Sequence, residues 1–231
     1  MSVASALEDV RARIEAAALA AGRDPATVKL VAVSKTHPAS AVREAYAEGQ
    51  RDFGENYVQE LLQKAEELRD LTDLRWHVIG HLQRNKARQV VSLASLVHTV
   101  DTPELALELS KRFDGLVTGR RLRVLVEVSI AGEAQKHGVA PANLTELLTC
   151  IEAMPALELR GLMCVPPATE DPAGARPYFD ELARLREVHG GASRLPELSM
   201  GMTHDLDQAV AAGATLVRVG TAIFGARPQK A

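Results

Sequence analysis

Lys35 has the clearest chemical prospects in this chain, because it follows almost directly on the apolar run Leu30–Val33 in VKLVAVSKTHP. A lysine held at the end of a buried strand loses part of its hydration, its amine pKa falls, and it becomes a competent nucleophile toward a carbonyl carbon. The alternative for the same residue is a surface lysine or the partner of a carboxylate. A second feature is a pair of glycine turns near the C-terminus, Gly201 in SMGMT and Gly220-Thr221 in VRVGTA. Glycine lets backbone N–H groups approach an anion closely, and a following helical turn aims its positive end at the same place. With the hydroxyls of Ser199, Thr203 and Thr221 added, the combination suits a phosphate, although ligand-free tight turns use glycine too. Arg218 lies two residues before Gly220 inside an apolar stretch. An unpaired charge there is costly, so it faces either a ligand or a buried carboxylate.

Other motifs point away from common chemistries. His77 and His81 are four residues apart but straddle a strand and its loop, so they do not share a helix face as the zinc-protease pattern requires. They read as satisfied or solvated histidines, and no metal site is expected. The chain contains no GxSxG, no GxxxxGK and no GxGxxG, which removes support for serine hydrolase, P-loop NTPase and Rossmann dehydrogenase readings.

The elements that position these residues follow from hydrophobic periodicity. Val3, Leu7, Val10, Ile14, Ala17 and Ala21 recur at three- and four-residue spacing, which predicts an amphipathic N-terminal helix ending at Gly22. Apolar runs then predict strands at Val28–Ser34, Arg51–Gly54, Arg75–Gly80, Ser95–Val100, Leu122–Val128, Leu157–Met163, Glu197–Met200 and Leu216–Val219. Helical patterns separate them, near 39–48, 58–71, 85–91, 103–113, 142–154, 172–188 and 205–212. Alternating βα units require parallel strands with right-handed crossovers. Eight units match the number that closes a (β/α)₈ TIM barrel, with an extra N-terminal helix, and a doubly wound open sheet is the alternative. No linker or repeat divides the chain, so residues 1–231 are expected to form a single domain. In a barrel the active site lies at the carboxyl ends of the strands, which is where Lys35, Asn56, His81, Asp101, Ser129, Met163, Ser199 and Gly220 fall.

Composition narrows the function class. The 231 residues carry 27 Lys and Arg against 30 Asp and Glu, a formal net charge of −3, with no basic cluster. Nucleic acid is therefore not an expected partner. The longest apolar runs fall far short of the ~20 residues needed to cross a bilayer. The N-terminus lacks the basic start and apolar block of a secretory signal, so the expectation is a cytoplasmic protein with no membrane role. Cys150 and Cys164 have no disulfide-scaffold or metal spacing and read as core fillers in a reducing compartment.

Taken together, VAVSKTHP, FGENYVQE, WHVIGHLQRNK, VDTPELA, GEAQKHG, LRGLM, LSMGMTHD and VRVGTAIFG resemble the pyridoxal 5′-phosphate (PLP) homeostasis protein family. These are small PLP-binding barrels similar to the N-terminal domain of alanine racemase, of fold type III among PLP proteins, and the motifs run in the family's order from first strand to last turn. The resemblance implies that Lys35 holds PLP as a Schiff base. It implies that Gly220, Thr221, Ser199 and Thr203 hold the phosphate, that Arg218 faces the pyridine nitrogen, and that Asn56, Met163 and the His81–Lys86 loop line the pocket. An arginine does not give up its proton to the ring, so the ring nitrogen stays unprotonated and carbanion chemistry is subdued. Two positions depart from the pattern: Ser129 stands where asparagine is common, and Thr203 where serine is usual.

The resemblance implies a carrier and regulator of intracellular PLP, or vitamin B6, without turnover, with PLP-dependent apoenzymes as candidate recipients. An amino-acid racemase of the alanine racemase type is the alternative. Racemisation needs acid/base groups on both faces of the α-carbon. In alanine racemase, the resemblance implies, one of them is a tyrosine from an additional C-terminal domain across a dimer, and this sequence stops at Ala231. Its own Tyr46, Tyr57 and Tyr178 fall at helical positions and read as packing residues, with Tyr57 near the pocket rim. No catalytic residue is assigned, and a monomer is the expected state.

Overall fold

The computed structural model describes residues 2–114, 116, 119–132 and 137–226. Eight strands are each followed by helical structure: β1 Lys29–Val33, β2 Asp52–Glu55, β3 Arg75–Val78, β4 Ala94–Val100, β5 Leu122–Glu127, β6 Leu157–Met163, β7 Glu197–Ser199 and β8 Leu216–Val219. The helices are α1 Val3–Ala20, α2 Ala39–Ala47, α3 Val58–Glu67, α4 Ala87–Val90, α5 Pro103–Asp114, α6 Leu144–Glu152, α7 Arg176–Val188, α8 Gly191–Arg194, α9 Leu206–Ala211 and α10 Thr221–Phe224. All strands are parallel and pair in sequence order. The ring closes where Lys29, Leu30, Val31 and Ala32 of β1 pair Leu216, Val217, Arg218 and Val219 of β8. That pairing decides between a barrel and an open sheet: this is a (β/α)₈ barrel.

The strands are short and mostly apolar on both faces, as expected where one face packs on helices and the other on the barrel interior. Outside the ring, the helices bury residues such as Leu61, Leu109, Leu148, Phe179 and Leu182. Inside it, Val31, Leu96, Leu125, Met163 and Leu216 form a separate small cluster. The barrel is thus filled with side chains and is no pore.

α1 begins at Ser2, whose hydroxyl accepts from the Ser5 N–H at 3.2 Å. It packs Leu7, Val10, Ile14 and Ala18 onto α2, α9 and α10. Arg13 of α1 forks onto Asp207 of α9 and donates to the Thr203 carbonyl at 2.7 Å. The extra helix therefore braces the β7 turn from outside. Cys164 is buried and burial pushes its thiol pKa up to about 12, so it stays protonated as a core filler, whereas Cys150 is only half-buried.

Candidate functional site

The turn that carries Lys35 is held from below by a buried polar cluster. Ser34, fully buried, donates from Oγ to Glu55 Oε1 at 2.7 Å. Lys64 of α3, also buried, donates to the same Glu55 oxygen at 2.6 Å and to the Ser34 carbonyl at 2.7 Å. Glu60 accepts from Lys64 at 3.3 Å and from the Thr36 N–H at 2.7 Å. The residues on both sides of Lys35 are thus tied to β2 and α3. Burial raises the Glu55 pKa, and the Lys64 charge opposes it.

Thr36 is the one non-glycine residue with positive φ, +65°, among the described residues. For a β-branched side chain that conformation is strained. Its N–H bond to Glu60 holds it there and turns the chain sharply after β1, so that half-buried Lys35 faces a cavity. The His37 ring packs 5.4 Å from the Phe224 ring, joining this turn to α10.

The cavity, about 340 Å³, is lined by Val33, Lys35, Asn56, Ile79, Val165, Met202, Thr203, His204, Arg218, Gly220 and Thr221. Residues following β1, β2, β3, β6, β7 and β8 converge there, at the carboxyl end of the ring. Its volume is that of a small cofactor site. Two larger depressions, about 430 and 670 Å³, involve the opposite end, around Lys29, Arg51, Asp52 and Arg75 or Arg121, Leu122 and Arg123. In barrels that end serves stability.

Gly201 and Gly220 are shaped for close backbone approach. Gly201 has φ +91°, and a Cβ there would collide with the Ala209 side chain. At Gly220 a Cβ would sit 3.0 Å from the Val33 carbonyl oxygen. Absence of side chains at both positions leaves the 201–204 turn and the start of α10 on the wall of one cavity. The first N–H groups of any helix have no acceptor within it. A lysine amine, hydroxyls at Thr203 and Thr221 and these amides form a donor set that fits an aldehyde-bearing phosphate ester.

Arg218 is 4% exposed and takes the first of the two positions expected from sequence, on the lining of the ligand-end cavity, with no carboxylate among its recorded hydrogen-bond partners. It donates from Nη1 to Ser199 Oγ at 2.6 Å and from Nη2 to the Cys164 carbonyl at 2.9 Å. Burial lowers its pKa, and the Glu127 and Asp205 charges oppose that shift. Glu127 lies at the end of β5 with Oε2 buried and unpartnered, and burial, with Asp101 adding, raises its pKa to about 7.

Six of the eight residues expected in a site line the cavity: Lys35, Asn56, Thr203, Arg218, Gly220 and Thr221. Ser199 does not, because its side chain points into the barrel and its hydroxyl is taken by Arg218 and by His98 Nδ1, 2.8 Å away. Met163 is fully buried in the internal cluster for the same reason of strand parity. The His81–Lys86 loop contributes none of the lining residues either. His81 instead stacks on His137 with ring centroids 3.5 Å apart, and its ring, Asp101 and His137 place ligand atoms within 4.8 Å of one another. The two rings are within 9° of parallel, so their lone pairs do not converge on one point. Ser129 bonds the Val139 carbonyl through its N–H. Residues 133–136 of GEAQKHG lie outside the described residues.

Sequence reasoning did not assign Val33, Ile79, Val165, Met202 and His204 to the lining. Met202 and Val165 are exposed apolar side chains, which no local sequence pattern marks as lining. It also did not connect His77 and His98. These rings bond Nδ1 to Nε2 at 2.9 Å, and His77 Nε2 reaches Asp52 Oδ1 at 2.9 Å.

Comparison with known proteins decides the relationship. The family model described as alanine racemase, N-terminal domain, matches residues 6–228. A Pseudomonas aeruginosa protein named pyridoxal phosphate homeostasis protein is 50% identical over 228 residues, covering 98% of this chain and 96% of its own. The chain belongs to the pyridoxal phosphate homeostasis protein family. The structure of PipY from Synechococcus elongatus, solved with PLP bound, aligns with a TM-score of 0.82 at 40% identity, covering 97% of this chain and all of that one. An alanine racemase from Clostridium difficile shares the fold alone, with a TM-score of 0.69 at 14% identity over 53% of its length. Relatives named pyridoxal phosphate homeostasis protein thus match this chain nearly from end to end.

Proposed function

We infer that this protein binds PLP at the carboxyl end of its barrel and serves PLP homeostasis as a carrier or regulator, without a turnover of its own. The observation that carries the reading is the convergence of Lys35, Asn56, Thr203, Arg218, Gly220 and Thr221 on one cavity of about 340 Å³. Bound there, PLP supplies an electrophilic aldehyde carbon. The Lys35 amine is its covalent attachment point, with the turn around it fixed by Glu60 and Lys64.

Thr203, Thr221 and the amides beginning at Gly220 would hold the phosphate, and Asn56 lines the same cavity. Arg218, on the cavity lining, would face the ring nitrogen as a donor only. It therefore cannot protonate that nitrogen reversibly as a carboxylic acid does, and the cofactor is kept a weak electron sink. Ser199 acts one step back, by holding Arg218.

The tyrosines support the carrier reading over a racemase. Tyr46 hydrogen-bonds Asp73, Tyr57 is 53% exposed at the start of α3, and Tyr178 lies on α7. None of the three lines the cavity. No described helix is long and apolar enough to cross a membrane.

The reading extends to one PLP-binding domain over residues 1–231, acting in the cytoplasm as a monomer and exchanging PLP with apoenzymes. Leu19, Leu107 and Val188 are exposed on three different helices, α1, α5 and α7. The test is an absorbance spectrum with PLP before and after borohydride, peptide mass mapping, and chiral analysis after incubation with L-alanine. A visible band fixed onto Lys35 with no D-isomer is the expected result. D-alanine production would make it a racemase, and absence of a band would remove the PLP assignment.

A further inference from the structure

A continuous line of hydrogen-bonded side chains crosses the inside of the barrel. It runs from Arg218 on β8 to Ser199 on β7, to His98 on β4, to His77 on β3 and to Asp52 on β2, with links of 2.6, 2.8, 2.9 and 2.9 Å. Ser199, His98, His77 and Arg218 are all buried. Asp52 stands at the amino-terminal end of the ring, where Arg75 forks onto its two oxygens at 2.8 and 2.7 Å.

The chemistry of the end members sets the direction of every link. A guanidinium only donates, so the Ser199 oxygen accepts from Arg218. The Ser199 hydrogen then needs an acceptor, and the one recorded for it is His98 Nδ1. A neutral His98 with Nδ1 accepting carries its hydrogen on Nε2 and donates to His77 Nδ1. His77 in turn carries its hydrogen on Nε2 and donates to Asp52, which as a carboxylate only accepts. Burial, with the Arg218 charge adding, drives the His98 pKa well below the ordinary value, in keeping with a neutral ring. Asp52 is ionised: burial raises its pKa, but hydrogen bonds from Arg75 and His77 outweigh it and hold the carboxyl well below the usual range. Bonds aligned in one sense polarise one another.

We propose that Asp52, His77 and His98 are positioning residues for Arg218. Through Ser199 they fix the rotation of the guanidinium and so which of its N–H groups face the cavity, so that the far end of the barrel sets the electrostatics of the ligand end. The proposal rests on the PLP reading only for what Arg218 faces; the chain itself is built from this protein's own side chains. It goes beyond packing, because two satisfied core histidines need no particular tautomer, whereas this chain requires both rings to be protonated at Nε2.

The test has two arms. In the ¹⁵N-labelled apoprotein, long-range imidazole correlations assign the tautomers, and both His77 and His98 are expected as neutral Nε2–H rings. Asp52→Asn keeps the shape but replaces an obligate acceptor with an amide able to donate, and it is expected to move the Arg218 Nε–H resonance. Arg75→Gln, which removes only the outer partner of Asp52, is expected to leave that resonance in place. In the PLP-loaded protein Asp52→Asn should weaken PLP binding about five- to tenfold, the scale of one perturbed charged hydrogen bond, and shift the visible absorbance maximum. Arg75→Gln should do neither.

An Nδ1–H tautomer at His98 overturns the proposal, as does an Arg218 resonance that ignores Asp52→Asn or follows Arg75→Gln equally. A protein that takes up no PLP overturns the cofactor reading instead, and the apoprotein arm still decides the chain.

Discussion

Lys64 Nζ lies 2.6 Å from Glu55 Oε1, with the lysine side chain 6% and the glutamate 1% exposed, and the same ammonium donates to the Ser34 carbonyl next to Lys35. A buried ion pair adds little net stability when compared with apolar replacements, but removal of one partner strands the other charge. Here the stranded group would sit beneath Lys35.

Lys64→Met is therefore expected to cost about 3–5 kcal/mol, read as a lower urea midpoint. Because burial raises the Glu55 pKa, the loss grows as pH rises and Glu55 must ionise without its partner. The double variant Glu55→Leu with Lys64→Met should recover part of the loss. A single variant as stable as the parent at pH 8 would show that the pair does not hold the Lys35 turn.

Lys35→Ala is expected to abolish covalent PLP retention while leaving the fold intact. Lys35 is half-buried at a strand's carboxyl end and contributes little to the core, so the stability change should stay within about 0.5 kcal/mol. Borohydride trapping with mass mapping reads the first effect and circular dichroism melting the second. An unfolded, insoluble variant would make the lysine structural.

Glu127 gives a pH signature. Its folded pKa of about 7 lies above the ordinary 4.5, so its contribution is fully present below pH ~4.5 and is lost as pH rises through 7. The gap corresponds to about 3 kcal/mol, an upper value for a side chain that is not wholly enclosed. Glu127→Gln should match the parent at pH 4 and exceed it at pH 8 in urea unfolding. Equal gains at both pH values would mean that burial of this carboxyl is not the cause.

Gly201→Ala should be strongly destabilising. It combines a φ of +91° with a collision against Ala209, and either alone costs on the order of 1–3 kcal/mol. The β7 turn would have to move away from the cavity, so PLP retention should fall with stability. The companion Ala209→Gly should restore part of both; if it restores neither, the collision is not the source of the loss.

Much of this protein is legible in sequence. The helix periodicity of residues 3–21 and the eight apolar runs give the βα order, because burial on both faces demands near-continuous apolar strands such as Leu30–Val33. Lys35, Gly201 and Gly220 declare themselves by standing where those runs stop. Closure of the ring is not written in any one strand, since an open sheet uses the same βα units; the pairing of Lys29 with Leu216 decides it. Nor is the direction of a side chain near a strand end. When both faces of a strand are apolar, the period-of-two pattern that would mark inside from outside disappears, and a one-residue shift reverses every side chain. That is why Ser199 and Met163 turn into the barrel while Thr203 and Met202 reach the cavity. His77 and His98, 21 residues apart, meet only because β3 and β4 are neighbours, and their link to Arg218 exists only once the ring has brought β7 and β8 around to face them.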